Sequence, residues 1–344
     1  MKAAIWNGPN KIEVKDVDEP KYKEGDLLLQ VICCNICGSD IRTYRYGSDS
    51  IKTGTVLGHE FVARVIDATN CDGFSEGDLV IASQDIPCGE CWYCTSGYEN
   101  VCENKLEIGK DFQGAFAEKI VLPEIILKKG WVRKLDSQIP IDAGSLIEPV
   151  ASCLHTQKLL PPKKGENVVV IGAGPIGCIH GELAKHAGAE KVIIADFSRD
   201  RLKIAEKFNF DKYVDSSKED LVQVIKEMFP FGVDRVISAN PSVDAVRQAV
   251  EIVRKKGVVV AFGGFPKTNY MVELDGNRIH YDEIVVIGSY AYSRKECDEA
   301  MNLIREGAIS VDNYISRKFP LEDIGEAMVL ATKAEVMKIQ IRLG

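Results

Sequence analysis

The sequence predicts an α/β chain of two domains, one rich in β-strands and one a doubly wound parallel sheet. Three observations carry that expectation. The chain has 344 residues, 45% hydrophobic and 27% charged, which is ample for two cores. Residues 1–150 hold short β-rich runs such as Leu27-Leu28-Leu29-Gln30-Val31-Ile32 and Ala115-Phe116-Ala117-Glu118-Lys119-Ile120-Val121. These runs are broken by Gly, Pro and Asp turns. From about 153 to 290, apolar strands alternate with amphipathic helices, the strands expected at 167–172, 191–195, 211–214, 233–238, 257–262 and 283–288. Six such strands with helices between them read as one parallel sheet.

After residue 290 the texture is mixed. Ser293 followed by Glu296 is a capping box that starts a helix near 294–306. A helix at about 321–334 and a strand from Lys338 to Leu343 follow. The expected organisation is a nucleotide domain at 153–290, inserted between two pieces of a β-rich domain at 1–152 and 291–344.

A net charge of −8 argues against nucleic acid or an anionic membrane surface as the main partner. The first residues lead straight into strand-like sequence without an apolar leader, and no run approaches the roughly 18 apolar residues of a membrane span. The expectation is a soluble, cytoplasmic protein with a small-molecule partner.

The run Val168-Val169-Val170-Ile171-Gly172-Ala173-Gly174-Pro175-Ile176-Gly177 is an apolar strand that ends in G-x-G-x-x-G and opens a helix. Gly172 permits the tight turn, Gly174 lets backbone approach a pyrophosphate, and Gly177 allows close helix–strand packing. Pro175 and Ile176 sit at the helix start, whose free N–H groups face the phosphates. This is the Rossmann dinucleotide fingerprint, and Asp196 at the end of the next strand completes it. A carboxylate there binds the ribose hydroxyls and repels a 2′-phosphate, which favours NAD over NADP. Arg199 and Arg201 pull the other way, since an arginine accommodates that phosphate.

Eleven cysteines are unevenly spread, and Cys88-x2-Cys91-x2-Cys94-x7-Cys102 places four of them in fifteen residues. Four thiolates close a tetrahedral shell round zinc and leave no open position, so the site reads as structural. An iron–sulfur cluster or free thiols are the alternatives. A second set of candidate ligands comprises Cys37 in Cys37-Gly38-Ser39-Asp40, His59 in Gly58-His59-Glu60, and Glu148 in Leu146-Ile147-Glu148-Pro149. A thiolate, an imidazole and a carboxylate suit zinc and leave room for a further ligand. Taken singly, each is equally a buried cysteine, a hydrogen-bonded core histidine or a helix-end carboxylate.

Together with Gly114-x-Phe116-Ala117-Glu118, these motifs resemble the zinc-containing medium-chain dehydrogenase/reductase family, close to its polyol branch of sorbitol (L-iditol) and threonine dehydrogenases. The match runs over essentially the whole chain. It implies a GroES-like catalytic domain built from both chain ends, homo-oligomers (dimers or tetramers), and two zincs per chain, one catalytic and one structural. Cys37 and His59 are then catalytic zinc ligands, Glu148 stands where alcohol dehydrogenases have cysteine, and Glu60 is either a neighbour of the ligands or an alternative ligand. The backbone at Ala261-Phe262-Gly263-Gly264 lies by the nicotinamide. Two departures stand out: Ala63 replaces a usual glycine, and Arg42 replaces a histidine that ends the proton relay. That leaves Ser39, through the ribose, as the proton's route to solvent, and Ser39 is also a candidate helix N-cap.

The expected chemistry is transfer of hydride from a secondary alcohol to NAD, with Glu148 and Tyr44 suited to the extra hydroxyls of a polyol. Arg42 and Arg45 keep open an acidic substrate such as a sugar phosphate or aldonate, and L-threonine is a further alternative. Outside enzymes, a dinucleotide-binding redox sensor or structural protein is the rival reading. A zinc-free quinone reductase would lack both the cysteine loop and the Cys37/His59 pair.

Overall fold

The computed structural model describes residues 1–343, in which two compact units are distinguished. The first comprises Met1–Ala151, Tyr292–Gly307 and the chain from Tyr314 onward; the second comprises Ser152–Ala291 and Ala308–Asn313. The sequence places the tail from 291 wholly in the first domain, and residues 308–313 depart from that expectation. Their hydrogen bonds explain why: Ser310 N–H donates to Glu182 Oε1 at 2.9 Å and Asn313 Nδ2 to the Lys207 carbonyl at 3.2 Å. Among the described residues, no helix is long and apolar enough to cross a membrane.

In the first unit a sheet runs in the order Val132–Lys134, Leu79–Ala82, Glu60–Asp67, Leu27–Asn35, Lys338–Arg342, Ile315–Pro320, with Lys119–Leu122 also paired to Leu27–Asn35. Strand Leu27–Asn35 is buried along most of its length, as befits a central strand rich in Leu, Val and Ile. It pairs antiparallel on both sides, with Asn35 opposite Glu60 on one flank and opposite Gln340 on the other. Ala63 is a fully buried position of the neighbouring strand, opposite Val31 and Val80, so a side chain is accommodated there without a turn. Strand Lys2–Trp6 belongs to a separate three-stranded sheet. The tail supplies helix Arg294–Arg305, whose Ser293/Glu296 capping box is formed, and helix Ile324–Thr332. The C-terminal strand Lys338–Arg342 is the one that enters the middle of the large sheet.

The second unit is a six-stranded, all-parallel sheet in the order Lys212–Asp215, Lys191–Asp196, Asn167–Ile171, Val233–Ser238, Val253–Ala261, Val285–Gly288. Counted along the chain this is 3-2-1-4-5-6, the doubly wound order with its reversal between the first and fourth strands. The central strand Asn167–Ile171 is apolar and buried after its first residue, as a strand covered by helices on both faces must be. The fifth strand begins at Val253 rather than near 257. Val233 pairs with Val253 and Arg235 with Val258, so a bulge absorbs the intervening residues.

The glycine loop leads into helix Pro175–His186, with Gly174 as N-cap and Pro175 at the first position, where its missing N–H costs nothing. A Cβ on Gly177 would lie 1.7 Å from the Gly172 carbonyl oxygen, and backbone cannot yield as a flexible side chain would. Gly177→Ala is expected to destabilise the second unit by about 3 kcal/mol, the upper end of overpacking costs. Denaturant unfolding followed by tryptophan-independent circular dichroism checks this; unchanged stability would show that the loop relaxes freely.

Candidate active site

The lobe carrying the four clustered cysteines contains short helix Trp92–Thr95 and paired strands Asp85–Ile86 and Leu106–Glu107. None of the cysteines is disulfide-bonded, and the four sulfurs lie within 4.8 Å of one another. Cys88 and Cys94 sulfurs are 4.0 Å apart and those of Cys91 and Cys102 3.8 Å. A tetrahedron with zinc–sulfur bonds of about 2.3 Å has edges of about 3.8 Å, so the cage fits that ion. Backbone N–H groups of Glu90 and Cys91 point at the Cys88 sulfur at 3.5 and 3.3 Å, and they pull its thiol down to about 6. Lys105 on Asp85 at 3.0 Å braces the lobe from within, while Lys129 on the Cys88 carbonyl at 2.8 Å and Arg294 on Glu99 tie it to its surroundings.

The second cluster follows from strand register. Leu27–Asn35 ends where its antiparallel neighbour Glu60–Asp67 begins, so Cys37, two residues past one end, and His59, one residue before the other, emerge at the same edge. Cys37, His59 and Glu60 present ligand atoms within 4.8 Å of one another. Gly58, before the histidine, has φ +92°, and a Cβ there would press to 2.9 Å against Cys34 and Phe116, so the turn requires glycine. Glu148 occupies the first turn of helix Ile147–Leu159. It shares a buried pocket with Glu60, Phe61, Ile81, Trp131 and Ser145.

Electrostatics there call for a cation. Burial pushes the Glu148 carboxyl up to about 7, with the charge of Glu60 adding to the effect and His59 opposing it. Burial works against charging His59, yet the surrounding Cys37, Asp40 and Glu148 overcome it and raise its pKa well above the usual range. A thiolate, an imidazole and carboxylates gathered out of water form a donor set that suits zinc.

Other expected residues are placed as follows. Helix Gly38–Tyr46 has Cys37, not Ser39, at its N-cap, so Ser39 is a half-buried residue inside the first turn. Tyr44 is buried in the core of the first unit with Asp40 and Thr43 on the same helix face. Arg42 and Arg45 are exposed, and Arg45 lies over the Tyr46 ring at 5.1 Å.

Three residues that sequence reasoning did not single out support the cluster. Asp40 accepts the Cys37 N–H at 2.9 Å and the Gly58 N–H at 3.3 Å, joining the two ligand-bearing turns. Lys338 sets its ammonium 2.6 Å from Glu60 Oε1. Tyr292 takes the Gln84 N–H on its hydroxyl at 3.1 Å and hydrogen-bonds Glu148. Only Asp40 had a local signal, as the third residue after a cap.

In the second unit, Asp196 accepts the Ala173 N–H and the Ser198 N–H, each at 2.7 Å, so its carboxylate is fixed against the glycine loop. The Arg201 guanidinium lies 3.3 Å from where a Gly174 Cβ would be. Its Nε is buried without a hydrogen-bond partner, an orphaned donor beside the phosphate loop that suits an anionic ligand. Gly263 approaches the Asn240 carbonyl too closely for any side chain, and Gly264 follows it in the loop beyond the fifth strand.

Comparison with known proteins agrees with this geometry. Residues 23–130 match the alcohol dehydrogenase GroES-like domain and residues 175–306 the zinc-binding dehydrogenase domain. The chain is similar to D-arabitol-phosphate dehydrogenase of Enterococcus avium, 32% identical over 97% of this chain and 94% of that one. It is also similar to erythritol/L-threitol dehydrogenase of Mycolicibacterium smegmatis, 30% identical over 99% and 97%. Among solved structures, a zinc-binding dehydrogenase of Sinorhizobium meliloti 1021 bound to NADP superposes with a TM-score of 0.91 at 30% identity, covering 99% of this chain and 98% of that one. With both domain models matched and relatives aligned end to end, the chain belongs to the zinc-containing medium-chain alcohol dehydrogenase family.

Proposed function

We propose that this dehydrogenase oxidises a secondary alcohol of a polyol or sugar alcohol, passing hydride to NAD. The observation that carries the reading is the second cluster: Cys37, His59 and Glu60 converge, and Glu148, outside that group, shares a buried pocket with Glu60. One sulfur and one imidazole, with a single carboxylate of Glu60 or Glu148, hold a metal without closing its shell, in contrast to the four-sulfur cage at Cys88, Cys91, Cys94 and Cys102. We assign the first set to a catalytic zinc and the second to a structural one.

A bound zinc supplies the Lewis acidity that makes a hydroxyl acidic near neutral pH, and a bound nicotinamide accepts the hydride. The protein's own part is positional. Asp40 fixes Cys37, Glu148 offers a carboxylate to further hydroxyls, and the apolar wall of Phe61, Ile81 and Trp131 limits water. Ser39 carries the released proton away. The relatives named for arabitol phosphate and for erythritol or threitol support a polyol. The first of these, with Arg42 exposed in the turn after Ser39, favours a phosphorylated polyol as second reading.

For the cofactor, fixed Asp196 supports NAD, with Arg201 beside Gly174 serving the phosphates. Self-association is part of the reading: Val285–Gly288 is a sheet edge on which Val285 and Val286 are 42% and 37% exposed, and such an edge invites pairing with another copy.

Three outcomes are expected. Metal analysis should find two zincs per chain, one removed by chelator together with activity; a single zinc, indifferent to Cys37→Ser, would sink the catalytic assignment. A panel of polyols, polyol phosphates, sugar acids and L-threonine, followed by NADH absorbance, should give its highest kcat/KM with a polyol or its phosphate. Asp196→Ala should raise the NADP/NAD ratio of kcat/KM by about tenfold, the effect of about 1.4 kcal/mol, and an unchanged ratio would refute the role given to that carboxylate.

A further inference from the structure

Lys338 is a buried cation placed against the ligand cluster. Its ammonium donates to Glu60 Oε1 at 2.6 Å and lies 2.5 Å from Oε2, which is buried without a hydrogen-bond partner, and the two side chains are 5% and 0% exposed. The position is enforced by the backbone. Gln340 pairs with Asn35 in the antiparallel register, and continuing that register two residues sets Lys338 beside Cys37. Gln340 Nε2 anchors the strand by donating to Asn35 Oδ1 and Ser145 Oγ, each at 3.2 Å. Arg342 pairs with Asp142, and the Lys338 N–H donates to the Tyr314 carbonyl at 3.0 Å. An ammonium held this way cannot swing aside as a surface lysine does.

We propose that Lys338 is a positioning residue that holds Glu60 back from the metal and so keeps one coordination position available to the substrate. The proposal rests on the assignment of Cys37 and His59 as ligands of a divalent ion. A carboxylate drawn to a buried ammonium can move onto a metal only by giving up part of that pairing. Remove the ammonium, and Glu60 becomes an uncompensated buried charge whose nearest remedy is the metal itself. Glu60 then binds permanently and fills the position a substrate hydroxyl needs.

The test uses the full-length protein with zinc in the four-cysteine cage and cobalt(II) in the open site. Release of cobalt to a chelator is timed, and its visible d–d spectrum is recorded. Lys338→Met should release cobalt at least tenfold more slowly, with a spectrum changed from wild type, whereas Lys338→Arg should match wild type in both. Removing both charges, in Glu60→Gln/Lys338→Met, should restore release to within about threefold of wild type. That double variant also covers the case in which Lys338→Met alone does not fold, because it buries no unpaired charge. Wild-type or faster release from Lys338→Met overturns the proposal, as does release more than tenfold faster from the double variant, which would make Glu60 a resting ligand regardless of Lys338. Cys37→Ser serves as the separate check on the site: retention of the cobalt there refutes the ligand assignment itself, whatever the Lys338 variants do.

Discussion

Three strands in one register fix the first unit's chemistry. Asn35 is opposite Glu60 on one side and Gln340 on the other, so a single sheet edge collects Cys37, His59, Glu60 and Lys338. Strand pairing has a period of two, and a slip of one residue on either side would turn Glu60 or Lys338 to the opposite face. The buried amides of Asn35 and Gln340 lock against that slip. Asn35 Nδ2 also donates to the Ser145 carbonyl at 3.1 Å, three residues before Glu148. The same pair of amides therefore sets both the metal cluster and the start of the helix that carries the second carboxylate.

The features legible in the sequence are those whose partners are near in the chain. The glycine loop, its strand and its helix form one continuous run, and Asp196 lies within the next strand, so spacing carries the information. The four-cysteine lobe is equally local. The doubly wound sheet could be read because each of its strands is a separate apolar run. Its most misplaced start, at the fifth strand, arose because Lys256 and Gly257 interrupt a strand that begins before them.

The supports of the open site are different in kind. Lys338 is separated from Glu60 by 278 residues and Gln340 from Asn35 by 305, and no periodicity within either segment announces the other. Tyr292 and Glu148 meet across about half that separation. Tyr44 shows the converse error. Its closeness in sequence to Cys37 suggested a place near the substrate, but helical geometry turned its face, with Asp40 and Thr43, into the core. The short segment 308–313 went unrecognised for the same reason, since two hydrogen bonds to distant helices decide its company.

The insertion of Lys338–Arg342 into the middle of the large sheet has a consequence for how the chain is made. The second unit is drawn almost entirely from one continuous stretch and can begin to pack while the ribosome is still translating. The first unit cannot complete its sheet until its final strand has left the exit tunnel, although most of its residues were made first. Throughout that interval the strand Leu27–Asn35 has one flank uncovered at its C-terminal end, next to two adjacent cysteines, Cys33 and Cys34, that are buried in the finished fold. Protein synthesis itself thus imposes a waiting period on the oldest part of the chain, and protection of those thiols during it falls to the cell rather than to the fold.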